Sequence, residues 1–181
     1  MAVWYEIEPS ETSIHTFLEC NWYLHDFKLE TVKYSVSHDC IDVYLQYDRG
    51  TPGRLLRFVW IRKVNIRTDR GYDDTDWIWD SRIFLTDHHS MVRVEDSCDT
   101  EENCREKFDF IRDSTTWIEA DRIFWAVTDP YGKLIEMPAD LIDQTSNNYG
   151  KVTVEHFDLK PYTGNMDVIL KMDYARDRRH I

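Results

Sequence analysis

The chain has 181 residues, with 22 Lys plus Arg against 34 Asp plus Glu and a formal net charge of −12. A hydrophobic fraction of 42%, with 14% aromatic residues, excludes a disordered chain, and no apolar run approaches the roughly 18 to 20 residues of a membrane helix. The acid excess is spread along the chain and repels phosphate backbones, so the composition predicts one globular domain, 1–181, that binds neither nucleic acid nor membrane. The opening Met-Ala-Val-Trp-Tyr-Glu-Ile-Glu has no basic segment leading into an apolar one, which predicts a cytoplasmic location.

In chain order, Pro9-Ser10 opens a helix whose Ile14, Phe17 and Leu18 form an apolar stripe. Segments 29–36, 41–48 and 55–67 then read as strands. Ile41, Val43, Leu45 and Tyr47 alternate with Asp42, Tyr44, Gln46 and Asp48, the period of a half-buried strand. The third segment lies in a basic run: Arg49, Arg54, Arg57, Arg62, Lys63 and Arg67 occur without an intervening acid. Asp69, Asp73, Asp74, Asp76 and Asp80 follow at once, and the simplest expectation is that run and loop neutralise each other.

Residues 77–84 and 117–124 align without a gap, sharing Trp, Ile, Arg, Ile and Phe at matching positions. Asp129-Pro130-Tyr131-Gly132 after the second copy is a tight-turn sequence, so each copy is expected to lead into a hairpin, with Asp87-His88-His89 at the first tip. Asp99-x-x-Glu102 reads as a capping box ahead of Cys104, Phe108 and Ile111, and Pro138–Ile142 as a short helical turn. Segments 151–159 and 166–173 read as further strands. The sum is a mainly β, β-rich α+β fold: an antiparallel sandwich or a strongly curved sheet with one or two short helices.

The chemistry-bearing residues are few. Cys20, Cys40, Cys98 and Cys104 form no C-x-x-C pair and no zinc knuckle, and read as reduced thiols. Asp87-His88-His89, His25-Asp26 and His38-Asp39 are the His/Asp groupings that invite a metal or proton transfer, with His25, Asp26, His88 and His89 the candidates, but a hairpin tip holds ligands poorly. His25 is expected to tie down backbone polar groups as a buried imidazole. Counted from Asp69, the acidic loop places Asp74 where a calcium loop needs glycine. No nucleophile elbow or phosphate loop occurs. The expectation is therefore no catalytic residue, no metal and no cofactor. Asp73, Asp74 and Asp76 beside Trp77 and Trp79 instead make an acidic, aromatic surface suited to a basic protein partner. A metal-dependent enzyme or metal-binding module built on the His/Asp pairs, and a carbohydrate-binding β-sandwich using its aromatic residues, are the alternatives.

The stretch Asn21-Trp22-Tyr23-Leu24-His25-Asp26-Phe27, leading into the first strands, covers with them about a quarter of the chain. It resembles the W-x-x-H-D entry of small bacterial proteins of unknown function, some of them assigned as immunity proteins of contact-dependent toxin systems. That resemblance implies a small acidic cytosolic inhibitor that blocks a toxin by binding it.

Overall fold

The computed structural model describes residues 3–47, 50–66, 77–78, 81–95, 100–113, 115–138, 140–142, 152–153 and 157–166. The fold is mainly β with two short helices. Strand β1 (Tyr5–Ile7) leads into α1 (Glu11–Cys20), then β2 (Phe27–Ser35), β3 (Cys40–Gln46) and the long β4 (Gly53–Asn65). After these come β5 (Trp77–Ile78), β6 (Ser81–Leu85), β7 (Met91–Glu95), α2 (Glu101–Ile111) and the long β8 (Trp117–Thr128). A separate antiparallel pair, β9 (Asp140–Ile142) and β10 (Val152–Thr153), follows.

The main sheet is antiparallel throughout, in the order β5-β2-β3-β4-β8-β7-β6, with β1 paired to β8 beyond the end of β7. Its two outermost strands, β5 and β6, are consecutive in the chain. Ile78 and Ser81 are three virtual bonds apart, a reach of about 11 Å. Laid flat, six ladder spacings would separate the same strands by about 29 Å. The sheet must therefore curl until its edges nearly meet, and it does so without closing. The curved-sheet expectation holds in place of the sandwich.

The concave side encloses one large core. Phe27 of β2, Val43 of β3, Phe58 of β4, Trp125 of β8 and Ile83 of β6 share it, although β2 and β6 lie five strands apart along the ladder. Helix α1 contributes Ile14, Phe17, Leu18 and Cys20, with Phe17 edge-on to Trp125 at 5.5 Å. Its N-cap is Ser10, whose hydroxyl accepts from the Ser13 N–H. Helix α2 packs outside: Phe108 sits between Phe84 at 5.4 Å and Trp117 at 5.0 Å. Its cap is Thr100, one residue later than the sequence pattern placed it.

Both hairpins form. Asp87, His88 and His89 make the loop between β6 and β7, with His89 at φ 59° closing a three-residue turn. Asp129 organises the second, its carboxylate accepting from the Tyr131 and Lys133 N–H groups. The two aligned copies nevertheless differ. Residues 117–124 are one unbroken central strand, whereas 77–84 divide between β5 and β6 at opposite edges. Asp140–Ile142 pairs as a strand and is not helical, and within 151–159 the described strand is Val152–Thr153 alone. Residues 167–173 lie outside the described residues.

Gly53 starts β4 where three groups crowd it. A Cβ there would stand 2.7 Å from Thr128 Oγ1 and 2.8 Å from both the Leu45 carbonyl oxygen and the Tyr44 ring. The carbonyl belongs to a fixed ladder and cannot turn aside. Gly53→Ala is expected to destabilise the fold by about 1–3 kcal/mol in chemical denaturation, the usual cost of overpacking.

Candidate functional site

The basic strand β4 spends its positive charge locally. Arg57 makes a bidentate pair with Asp42 on β3, both bonds 2.7 Å, and Arg62 pairs with Asp121 on β8. One strand further on, Arg122 holds Glu6 of β1 at 2.7 and 2.8 Å. Aromatic rings flank this convex face: Arg57 lies 4.8 Å over Trp4, and Arg122 lies 4.8 Å over Phe124 and 5.6 Å over Tyr162. The described partners of Arg57 and Arg62 thus come from neighbouring strands of the sheet, and the acidic residues Asp69, Asp73, Asp74, Asp76 and Asp80 of the expected neutralisation lie outside the described residues.

Two arginines point inward. Arg54 is wholly buried, donating Nε to Asn21 Oδ1 and Nη1 to the carbonyls of Pro52 at 3.1 Å and Gly53 at 3.0 Å. Burial pulls its guanidinium down to about 10, against the opposite pull of Cys20. Cys20 responds in kind, its thiol pushed up to about 12 by burial while Arg54 draws it back. Arg93 on β7 donates to Glu95 Oε1 at 2.8 Å and to Ser81 Oγ at 2.9 Å, and the Arg93 and Glu95 side chains are only 1% and 7% exposed. Among the described residues Arg54 Nη2 and Arg93 Nε meet no acceptor. Sequence reasoning missed both arginines. The available signal was Arg93 and Glu95 alternating with Val92 and Val94, which places them on the same face as Met91.

His25 is half-exposed, not buried. Its ring stands edge-on to Trp22 at 4.6 Å, and its Nε2 lies 3.7 Å from the Asp26 carboxylate. Nearby, the buried Asn21 ties down backbone, its Nδ2 donating to the Phe17 carbonyl at 2.9 Å. His88 and His89 are exposed at the hairpin tip. No group of three His, Cys, Asp or Glu side chains among the described residues could hold a metal, so His25 and Asp26 do not join His88 and His89 in one cluster. Asp73, Asp74, Asp76 and Trp79 lie outside the described residues. Trp77 is described through its backbone, which pairs with Lys28.

The fold defined by these elements is a β-rich α+β architecture, and among its described residues no helix is long and apolar enough to cross a membrane. Comparisons with protein-family models, curated proteins and solved structures find no match.

Two outcomes follow from the buried groups. Glu95→Ala strands the Arg93 charge and is expected to cost about 3–5 kcal/mol, while pairing Arg93→Met with Glu95→Leu restores most of that loss, as denaturation midpoints will show. Cys20, Cys40 and Cys104 are buried, and burial raises the Cys20 and Cys40 thiols. Mass spectrometry should find these three unalkylated by iodoacetamide at about pH 8 and modified once denaturant is added. The folded Cys20 keeps its proton where the unfolded thiol, near 9.0, has lost it. Its contribution to stability is thus complete below about pH 9 and lost as pH climbs towards 12.

Proposed function

We propose that this chain is a non-enzymatic, cytoplasmic protein-binding protein of inhibitor or immunity type, whose acidic and aromatic surface meets a basic protein partner. The observation that supports this reading is the distribution of charge. Arg57, Arg62, Arg93 and Arg122 are each matched to one carboxylate, and Arg54 is buried. These pairs cancel one for one. They leave the chain's formal −12 unchanged, and the sequence concentrates part of the acid excess at Asp73, Asp74 and Asp76, next to Trp77 and Trp79. Charge at a rim steers encounter, whereas a desolvated aromatic side chain slows escape.

The test is capture of the partner from the native cell, followed by association kinetics against ionic strength. Asp73→Asn with Asp74→Asn should slow association several-fold at low salt and have little effect at 1 M, where the Debye length is about 3 Å. Trp79→Ala should speed dissociation at every salt concentration, by an amount equivalent to roughly 2 kcal/mol. Equal on-rates for wild type and the double Asn variant at low salt would remove the acidic surface from the interface. Stoichiometric zinc, iron or manganese in the purified protein would replace a binding role with a metal-dependent one.

A further inference from the structure

A cleft of about 400 Å³ opens where three stretches of chain meet: β1, the first turns of α1, and residues 158–163. The last of these is laid along β1. The Tyr162 N–H donates to the Trp4 carbonyl at 2.7 Å, and Pro161 bridges Tyr5 in antiparallel fashion. The floor is aromatic and closed: Tyr5 and Phe17 stand 4.9 and 5.5 Å from Trp125, and all three are buried. Leu159 and Pro161 add hydrocarbon to the lining.

The polar part of the lining offers both donors and acceptors. Ser13 Oγ accepts from the Glu8 N–H at 2.9 Å, and Ser10 Oγ accepts from the Ser13 N–H at 3.3 Å. These bonds occupy oxygen lone pairs and leave each hydroxyl proton to donate, since neither proton meets an acceptor among the described residues. The charged groups of the cleft are three carboxylates and one ammonium. Arg122 holds Glu6 at 2.7 and 2.8 Å, and Lys160 lies 3.5 Å from Asp158. Glu8 is exposed and takes part in no ion pair among the described residues, so its carboxylate is the acceptor left for an incoming donor.

That inventory selects a ligand class by elimination. A carboxylate or phosphate ligand would bring like charge against Glu8 and Asp158. An amine alone would satisfy Glu8 and leave the Ser10 and Ser13 protons unpaired. A wholly apolar ligand would strip water from all three groups without replacing it. A neutral sugar meets each requirement, because every hydroxyl both donates and accepts and the C–H faces of its ring suit Leu159 and Pro161. The volume falls within the roughly 300–1,000 Å³ of small-molecule sites. We propose that this cleft binds a neutral pyranose, with Ser10 and Ser13 donating to its oxygens and Glu8 accepting from its hydroxyls. The proposal is independent of the acidic-surface reading, since none of these residues belongs to Asp73, Asp74, Asp76, Trp77 or Trp79.

Proton–nitrogen NMR spectra of the full chain, titrated with the methyl glycosides of glucose, galactose, mannose and N-acetylglucosamine, test it. At least one glycoside should move the Ser10, Ser13 and Leu159 amides saturably, with half-saturation on the order of millimolar, the affinity expected of so small a ligand. Glu8→Gln keeps the backbone N–H that bonds Ser13 Oγ, so the fold is retained, and it should weaken that binding about tenfold. No saturable response to any of the four glycosides overturns the proposal. An equal response to glycerol overturns it too, because the cleft then solvates any hydroxyl compound alike. Tighter binding of spermidine at the same amides makes the cleft a cation site and also overturns it, and unchanged affinity in Glu8→Gln does the same for the assigned contacts.

Discussion

Two residues join the opposite edges of the main sheet, and most of the architecture follows from that short tether. Strands β5 and β6 must stand within about 11 Å of each other at Ile78 and Ser81, although six strand spacings separate them along the ladder. A twisted sheet meets such a constraint by coiling, and the concave face then becomes an enclosed interior. Helix α1 has an apolar stripe of the right length to join that core, and Phe17 and Leu18 enter it beside Trp125. The convex face is left to shorter coverings. Helix α2 lies over β6, β7 and the start of β8, and Tyr162 lies beside Phe124, with its N–H donating to the Trp4 carbonyl.

An enclosed interior receives whatever alternation sends to it, and here it receives charge. Arg54 and Arg93 occupy inward positions, Arg54 two residues before Leu56 on β4 and Arg93 two residues after Met91 on β7. Each is tolerated because nearby oxygens meet part of its donor set: Asn21 and two carbonyls for Arg54, Glu95 and Ser81 for Arg93. Burial makes these contacts costly to lose and weakly stabilising to possess, since desolvation offsets much of the attraction. The lowered Arg54 guanidinium and the raised Cys20 thiol are two views of that same dry environment. What the pairs secure is position, because a slipped register would leave the guanidinium without partners.

The curl also stops short of closure, and the opening has chemical content. A closed barrel would satisfy every backbone group of β6 within the sheet. The open one leaves β6 beside a groove of about 470 Å³ whose other walls come from α1 and α2. On the convex face, by contrast, Arg57, Arg62 and Arg122 are occupied by Asp42, Asp121 and Glu6. The three arginines of this face are thus each met by a carboxylate on a neighbouring strand.

The sequence alone determined the local units. Alternation with period two located β3; runs rich in Val, Ile, Tyr and Trp located β2 and β4; the stripe Ile14, Phe17, Leu18 located α1; and the turn residues located the ends of β6 and β8, because each of these signals is carried by residues within a few positions of one another. It determined little of the candidate site. Asn21 and Arg54 are 33 positions apart, and Glu6 and Arg122 are 116 apart, so their pairing leaves no mark on either local pattern. The related stretches 77–84 and 117–124 make the distinction concrete. Their shared residues impose the same inward and outward alternation on Ile83 and Phe84 as on Ile123 and Phe124. Yet one stretch is a central strand and the other is cut between two edges. Which ladder a strand joins depends on the neighbours available when the sheet coils, and only the tertiary structure supplies those neighbours.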